Sequence, residues 1–143
     1  MQRYGKLAII GLSFLTLAAC SRIQPIVEID RTLPPAQYSQ EEISAAALQD
    51  AITRALIHNR WEITGQSQKQ ILARLNFRRH SASITVDYAN GGYKILYRDS
   101  QALGYENGTI HKRYNTLVKR LDQSIQDEIL VAHKLGQTSP TQY

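Results

Sequence analysis

From Lys69 to Arg98 the sequence is dominated by apolar–polar alternation, which puts successive side chains on opposite faces of a pleated strand. In residues 69–78, Ile71, Ala73, Leu75 and Phe77 share one face, and Leu72, Arg74, Asn76 and Arg78 the other. Residues 82–88 repeat the pattern, with Ile84, Val86 and Tyr88 against Ser83, Thr85 and Asp87. Tyr93, Ile95 and Tyr97 then alternate with Lys94, Leu96 and Arg98. Asn90-Gly91-Gly92, between the last two runs, is a hairpin signal because primed turns need positive φ. The expected product is an antiparallel meander of three strands, extended to four by Trp61-Glu62-Ile63-Thr64, which Gly65 ends.

Helical periodicity flanks this block. Ala45, Leu48, Ile52, Ala55 and Leu56 recur at steps of three and four, which predicts a helix over about residues 40–59. Ser39 is its expected cap, with Glu41 and Glu42 in the first turn where carboxylates favour the positive helix end. Residues 99–112 read as a loop. A second helix over 113–134 aligns Tyr114, Leu117, Val118, Leu121, Ile125, Ile129 and Ala132, with Gly136 as its stop. The order α-β-β-β-β-α predicts an α+β two-layer sandwich with both helices on one face of the sheet. At 143 residues there is room for one such domain, and a barrel of about 250 residues is excluded.

The N-terminus reads as an address. Arg3 and Lys6 precede an apolar run from Leu7 to Ala19, and these 13 residues fall short of the roughly 20 that span a bilayer core. Such a run fits a secretory signal peptide. It ends in Leu17-Ala18-Ala19-Cys20, which resembles the bacterial lipobox, and Cys20 is the only cysteine of the chain. The resemblance implies removal of residues 1–19, an S-diacylglyceryl group on Cys20 and acylation of its freed amine. Several acyl chains make attachment effectively permanent, at about 0.8 kcal/mol per buried methylene. Ser21 in place of Asp favours the outer membrane under the enterobacterial sorting rule, facing the periplasm, with the inner membrane as the alternative. Residues 21–38 contain Pro25, Pro34 and Pro35 and read as an extended tether. The domain is then 39–136, with 137–143 a polar tail.

Charge narrows the partners. The whole chain carries 17 basic and 12 acidic side chains, and maturation lowers its net charge from +5 to +3. An exported, weakly basic chain is not expected to bind nucleic acid. Residues 69–120 hold ten basic and three acidic residues, whereas residues 20–68 and 121–143 each sum to −2. On the sheet face away from the helices, Arg74, Arg78, Lys94 and Arg98 would form an anion-receiving surface. Such a surface suits an envelope protein, peptidoglycan carboxylates or lipopolysaccharide phosphates. The same residues also fit an ordinary solvated face.

Little in the sequence points to catalysis. His58, His80, His111 and His133 form no HxH or HxxxH pair, so no metal is expected, and no Walker loop or GxGxxG calls for a cofactor. Asp99, Ser100 and His111 are the one grouping readable as a hydrolytic triad, but Ser100 lacks a nucleophile elbow. Tyr88, Tyr93, Tyr97, Tyr105 and Tyr114 crowd one region and read as cross-strand packing ahead of a stacking shelf. The stretch Tyr93–Ser100 followed by Ile110–Asn115 resembles a family of small, functionally uncharacterised proteobacterial lipoproteins, over about residues 40–130 and including Arg60-Trp61 at the end of the first helix. The resemblance implies an α+β domain behind a lipidated cysteine and brings no catalytic residues. The expectation is a non-enzymatic envelope lipoprotein that binds or scaffolds a partner. The alternatives are a carrier of an anionic small molecule or lipid, and a cell-envelope hydrolase.

Overall fold

The structure is a computed structural model describing residues 21–34 and 43–137. Residues 1–20, with the signal peptide and Cys20, lie outside the described residues, as do Ser39, Glu41, Glu42 and the tail from 138. Along the chain the elements are β1 (Ile23–Pro25), β2 (Ile29–Thr32), α1 (Ala45–His58), β3 (Glu62–Gln66) and β4 (Gln70–Phe77). They continue with β5 (His80–Ala89), β6 (Gly92–Gln101), β7 (Thr109–His111) and α2 (Lys112–Gln137).

The alternating block folds as its pattern requires. β3 to β6 form an antiparallel meander within a five-stranded sheet of order β2-β6-β5-β4-β3. Ile71, Ala73, Leu75, Ile84, Val86, Tyr88, Tyr93 and Ile95 point to one side and are buried against Leu48, Ile52 and Leu56 of α1 and Val118, Leu121 and Ile125 of α2. The architecture is therefore an α+β two-layer sandwich with one core. Gly65 does not end β3. The register shifts between Ile63 and Gly65, and a Cβ at Gly65 would stand 3.2 Å from the Leu72 side chain.

The first helix starts later than its periodicity implied. Ser44 is the cap, its Oγ accepting from the Ala47 N–H at 3.2 Å, while Asn90 Oδ1 in the β5–β6 turn accepts from the Ala45 N–H at 2.9 Å. One hairpin residue thus satisfies the helix end packed beside it. At the other end Arg60 takes φ 64°, its N–H donates to Ile57 O, and the Trp61 N–H donates to Leu56 O. This is a Schellman closure, which turns the chain back into the sheet and buries Trp61. α2 runs through Gly136 to Gln137 rather than stopping at the glycine.

The largest departure concerns the presumed tether. Its described part is extended, but it is bound to the domain. β2 pairs antiparallel with β6, and β1 pairs with β7, which itself lies in the presumed 99–112 loop. Asn115 of α2 clamps the link between them, accepting from the Val27 N–H at 3.0 Å and donating to Pro25 O at 2.9 Å. Short strands with exposed side chains carry almost no alternation signal, so nothing local marked them. Arg31 of β2 then reaches α2, donating from Nε and Nη2 to buried Asp122 at 3.1 and 2.6 Å.

Candidate functional site

The structure divides Arg74, Arg78, Lys94 and Arg98 among three places. Arg74 and Arg98 line a shallow cleft of about 360 Å³ with Thr64, Ser83 and Asp99 on the sheet face away from the helices. The β5–β6 register slips between Ser83 and Ile84, leaving Arg98 without a partner across the ladder and turning it into this cleft. Arg74 is held by neutral acceptors, donating to Asn76 Oδ1 at 3.2 Å and Ser81 Oγ at 3.0 Å.

Lys94 lies toward the other end of β6 and is already paired, its Nζ 2.8 Å from Asp30 of β2. The hydrogen bond to Asp30, then its charge, holds the Lys94 ammonium above the usual lysine range. Asp30 lies 64 residues before Lys94, in the segment expected to be a tether, so no local pattern marks the pair. Both residues border a larger cleft of about 620 Å³ beside the β5–β6 turn, with Arg31, Lys69 and Asp87.

Arg78 leaves the sheet face altogether. Phe77 pairs with His80, so Arg78 and Arg79 form a two-residue turn, with Arg78 at φ 55°. There it borders a cleft of about 260 Å³ lined by Phe77, Arg78, His80, Leu103, His111 and Arg113. Among the described residues its lining holds two guanidinium groups, two imidazoles and no carboxylate. Among the described residues neither Arg78 nor Arg113 makes an ion pair, in contrast to Arg31, Arg54 and Lys94. A second left-handed residue, Ala102 at φ 58°, aims its carbonyl at His80 Nδ1, 2.8 Å away. One left-handed residue, Arg78, thus lines the cleft and the other, Ala102, holds the lining His80 in place.

Nothing in the sequence brings His80, His111 and Arg113 together, and His111 figured there only in the triad grouping with Asp99 and Ser100. The histidines are 31 positions apart, and what unites them is the β4–β5 turn lying against the β7–α2 junction. Asp99 and Ser100 diverge, as neighbours on a strand must. Asp99 lines the open-face cleft, while Ser100 exchanges a 2.9 Å hydrogen bond with the Tyr97 hydroxyl, and His111 Nδ1 accepts from the Arg113 N–H. The triad grouping is not assembled.

The tyrosines pack, as expected. Tyr97 stacks on Tyr105 with ring centroids 4.4 Å apart and meets Tyr114 edge-on at 5.5 Å. Tyr88 donates to Ser67 O at 2.7 Å and Tyr93 to Asp122 Oδ1 at 2.8 Å. Burial pushes the Tyr93 hydroxyl far above the ordinary tyrosine range, with Asp122 adding to it, and burial also raises Tyr114. A raised folded-state value means these phenols add stability in full below about pH 10, the unfolded tyrosine value, and lose it as pH climbs past that point. In an alkaline titration of tyrosinate absorbance, Tyr93 and Tyr114 are expected to resist ionisation until the fold is lost. Ionisation of every tyrosine together, with near-ultraviolet dichroism intact, would contradict this.

Compared with known proteins, the chain matches no family model and no curated sequence.

Proposed function

We propose that this chain is a bacterial envelope lipoprotein, anchored through acyl groups on Cys20, whose domain faces the periplasm and works by binding an anionic partner rather than by catalysis. The observation that carries the reading is the run Leu17-Ala18-Ala19-Cys20 at the end of a short apolar segment behind Arg3 and Lys6. The sole thiol stands where signal cleavage leaves an N-terminal cysteine, and acyl chains there anchor the protein without a spanning helix. Ser21 favours the outer membrane as the destination.

The tertiary structure bears on how such an anchor would hold the domain. Ile23 begins β1, so Ser21 and Arg22 alone separate Cys20 from the folded body. The bound strands leave no long tether, and the domain would sit on the headgroup layer. Its unpaired cations in clefts suit partners bearing phosphate or carboxylate: an envelope protein, peptidoglycan or lipopolysaccharide.

Replacing Cys20 with Ser tests the anchor. Metabolic labelling with a fatty-acid analogue is expected to mark the wild-type chain and not Cys20→Ser, which should persist as a precursor retaining residues 1–19. Label on the serine variant overturns the reading.

A further inference from the structure

We propose that the cleft formed by Phe77, Arg78, His80, Leu103, His111 and Arg113 binds the phosphodiester headgroup of an anionic glycerophospholipid, one carrying hydroxyls as phosphatidylglycerol does; the inference rests on the anchored reading above. Its basis is the match between the donor and acceptor pattern of the cleft and that headgroup, together with the place where the chain enters the fold.

The imidazole tautomers follow from their partners. A carbonyl can only accept, so the 2.8 Å contact to Ala102 O requires the proton on His80 Nδ1 and leaves Nε2 of the neutral ring as an acceptor. His111 is the reverse. Its Nδ1 accepts from the Arg113 N–H at 3.1 Å, so its own proton is on Nε2, a donor. With Arg78 and Arg113 the lining residues thus carry two guanidinium groups and one imidazole N–H able to donate to phosphate oxygens, and one lone pair able to accept from a hydroxyl. Phe77 and Leu103 supply apolar wall for the carbons between phosphate and hydroxyl, and the Phe77 ring lies 5.5 Å from that of His80. A volume of about 260 Å³ is below that of pockets enclosing drug-sized ligands and suits a glycerophosphoryl group.

The chain's entry point fits the same ligand. Ile23 pairs with His111, and the Lys112 N–H donates to Arg22 O at 2.7 Å, so residues 22 and 23 run beside the cleft wall. One covalent step, about 3.8 Å between Cα atoms, leads from Ser21 back to Cys20. A lipid held at Cys20 would bring neighbouring headgroups toward that wall, and Arg22, Arg79 and Lys112, next to lining or wall residues in the chain, are exposed. The other two clefts lack this combination, since each includes a carboxylate, Asp99 in one and Asp30 and Asp87 in the other.

The test uses the full chain, purified from cells in non-ionic detergent, and follows its four histidine ring signals by NMR during titration with dihexanoyl phosphatidylglycerol below its micelle concentration. Saturable shifts are expected at His80 and His111, with His58 and His133 as internal controls that stay still. Arg113→Gln and Arg78→Asn should each weaken the response about tenfold or more, as loss of a charge-assisted hydrogen bond does. Asn is chosen because it tolerates the left-handed backbone at position 78, and fluorescence of buried Trp61 verifies the fold of both variants. No response at His80 and His111, or equal movement of all four histidines, overturns the site. An equal response to inorganic phosphate overturns the headgroup assignment in favour of free phosphate, and an equal response to dihexanoyl phosphatidylcholine overturns the role of the hydroxyls. The intact mass of the same preparation separates the two proposals: acyl groups on Cys20 with a silent cleft defeat the cleft alone, whereas an unlipidated chain with a responding cleft defeats the anchor alone.

Discussion

Asp122→Ala is expected to lower stability by about 3 kcal/mol, a large part of the 5–15 kcal/mol that holds a typical domain together. Asp122 is 5% exposed and accepts from Arg31 Nε and Nη2, from the Tyr93 hydroxyl at 2.8 Å and from Gln126 Nε2 at 3.1 Å. The expected losses are unequal. The Arg31 side chain is 45% exposed and water replaces its partner, so its share is small. The Tyr93 hydroxyl is buried and keeps only a 3.5 Å approach to the Asp122 carbonyl, so most of the cost falls there. Adding Tyr93→Phe to Asp122→Ala should therefore cost little beyond the first change, because both partners are then gone. Denaturant midpoints of the single and double variants measure this. Strict additivity, or a loss under about 1 kcal/mol for Asp122→Ala, rejects the buried Tyr93–Asp122 pair as the link between β6 and α2.

Gly92→Ala is the second large effect, and it acts through the backbone. A Cβ at position 92 would stand 2.5 Å from the Arg31 carbonyl oxygen. That atom belongs to the main chain of β2 and cannot rotate aside, so the strand itself has to shift. The change puts at risk the register Ile29↔Ile95, Asp30↔Lys94, Arg31↔Tyr93 and Thr32↔Gly92, together with the bond from the Leu33 N–H to Gly91 O. A destabilisation of about 2–4 kcal/mol is expected, in the range of severe single changes. Hydrogen exchange gives it a location: protection should fall at Ile29–Thr32 while the β5–β6 hairpin keeps its own, since the turn depends on Gly91 at φ 75° and not on Gly92. Unaltered protection in β2 would show that the strand accommodates the methyl group.

Both substitutions bear on how the chain is held where β2, β6 and α2 meet. There residues 21–34 bind the domain to within two residues of Cys20. Gly92 is thus more than part of a turn signal. As Asn90-Gly91-Gly92 it marked the hairpin correctly, yet its tightest requirement is space for a strand 60 residues earlier in the chain.

Legibility varied with how local each feature was. The buried faces of α1, β4, β5, β6 and α2 were readable because period-two and helical spacing are carried by consecutive residues, and a single core then follows from covering one sheet face. The true cap Ser44 was harder to identify because Ser39 stood ahead of Glu41 and Glu42 with the same local credentials, and the contact that marks the helix start comes from Asn90. Of the proposed cationic surface, Arg74 and Arg98 share the open face as their alternation implied, while Lys94 is taken by Asp30 and Arg78 by the turn.

Local spacing was enough for the helices, the alternating strands, the fold class and the expectation that Cys20 is an anchor, because each depends on neighbours within a few residues. Folding alone assigned the extended segment to the sheet, split the basic residues among three clefts and put His80 and His111 in the lining of one of them. Those outcomes turn on contacts such as the one from the Val27 N–H to Asn115 Oδ1, between residues 88 positions apart, and no local pattern of side chains records which distant backbone will supply the partner.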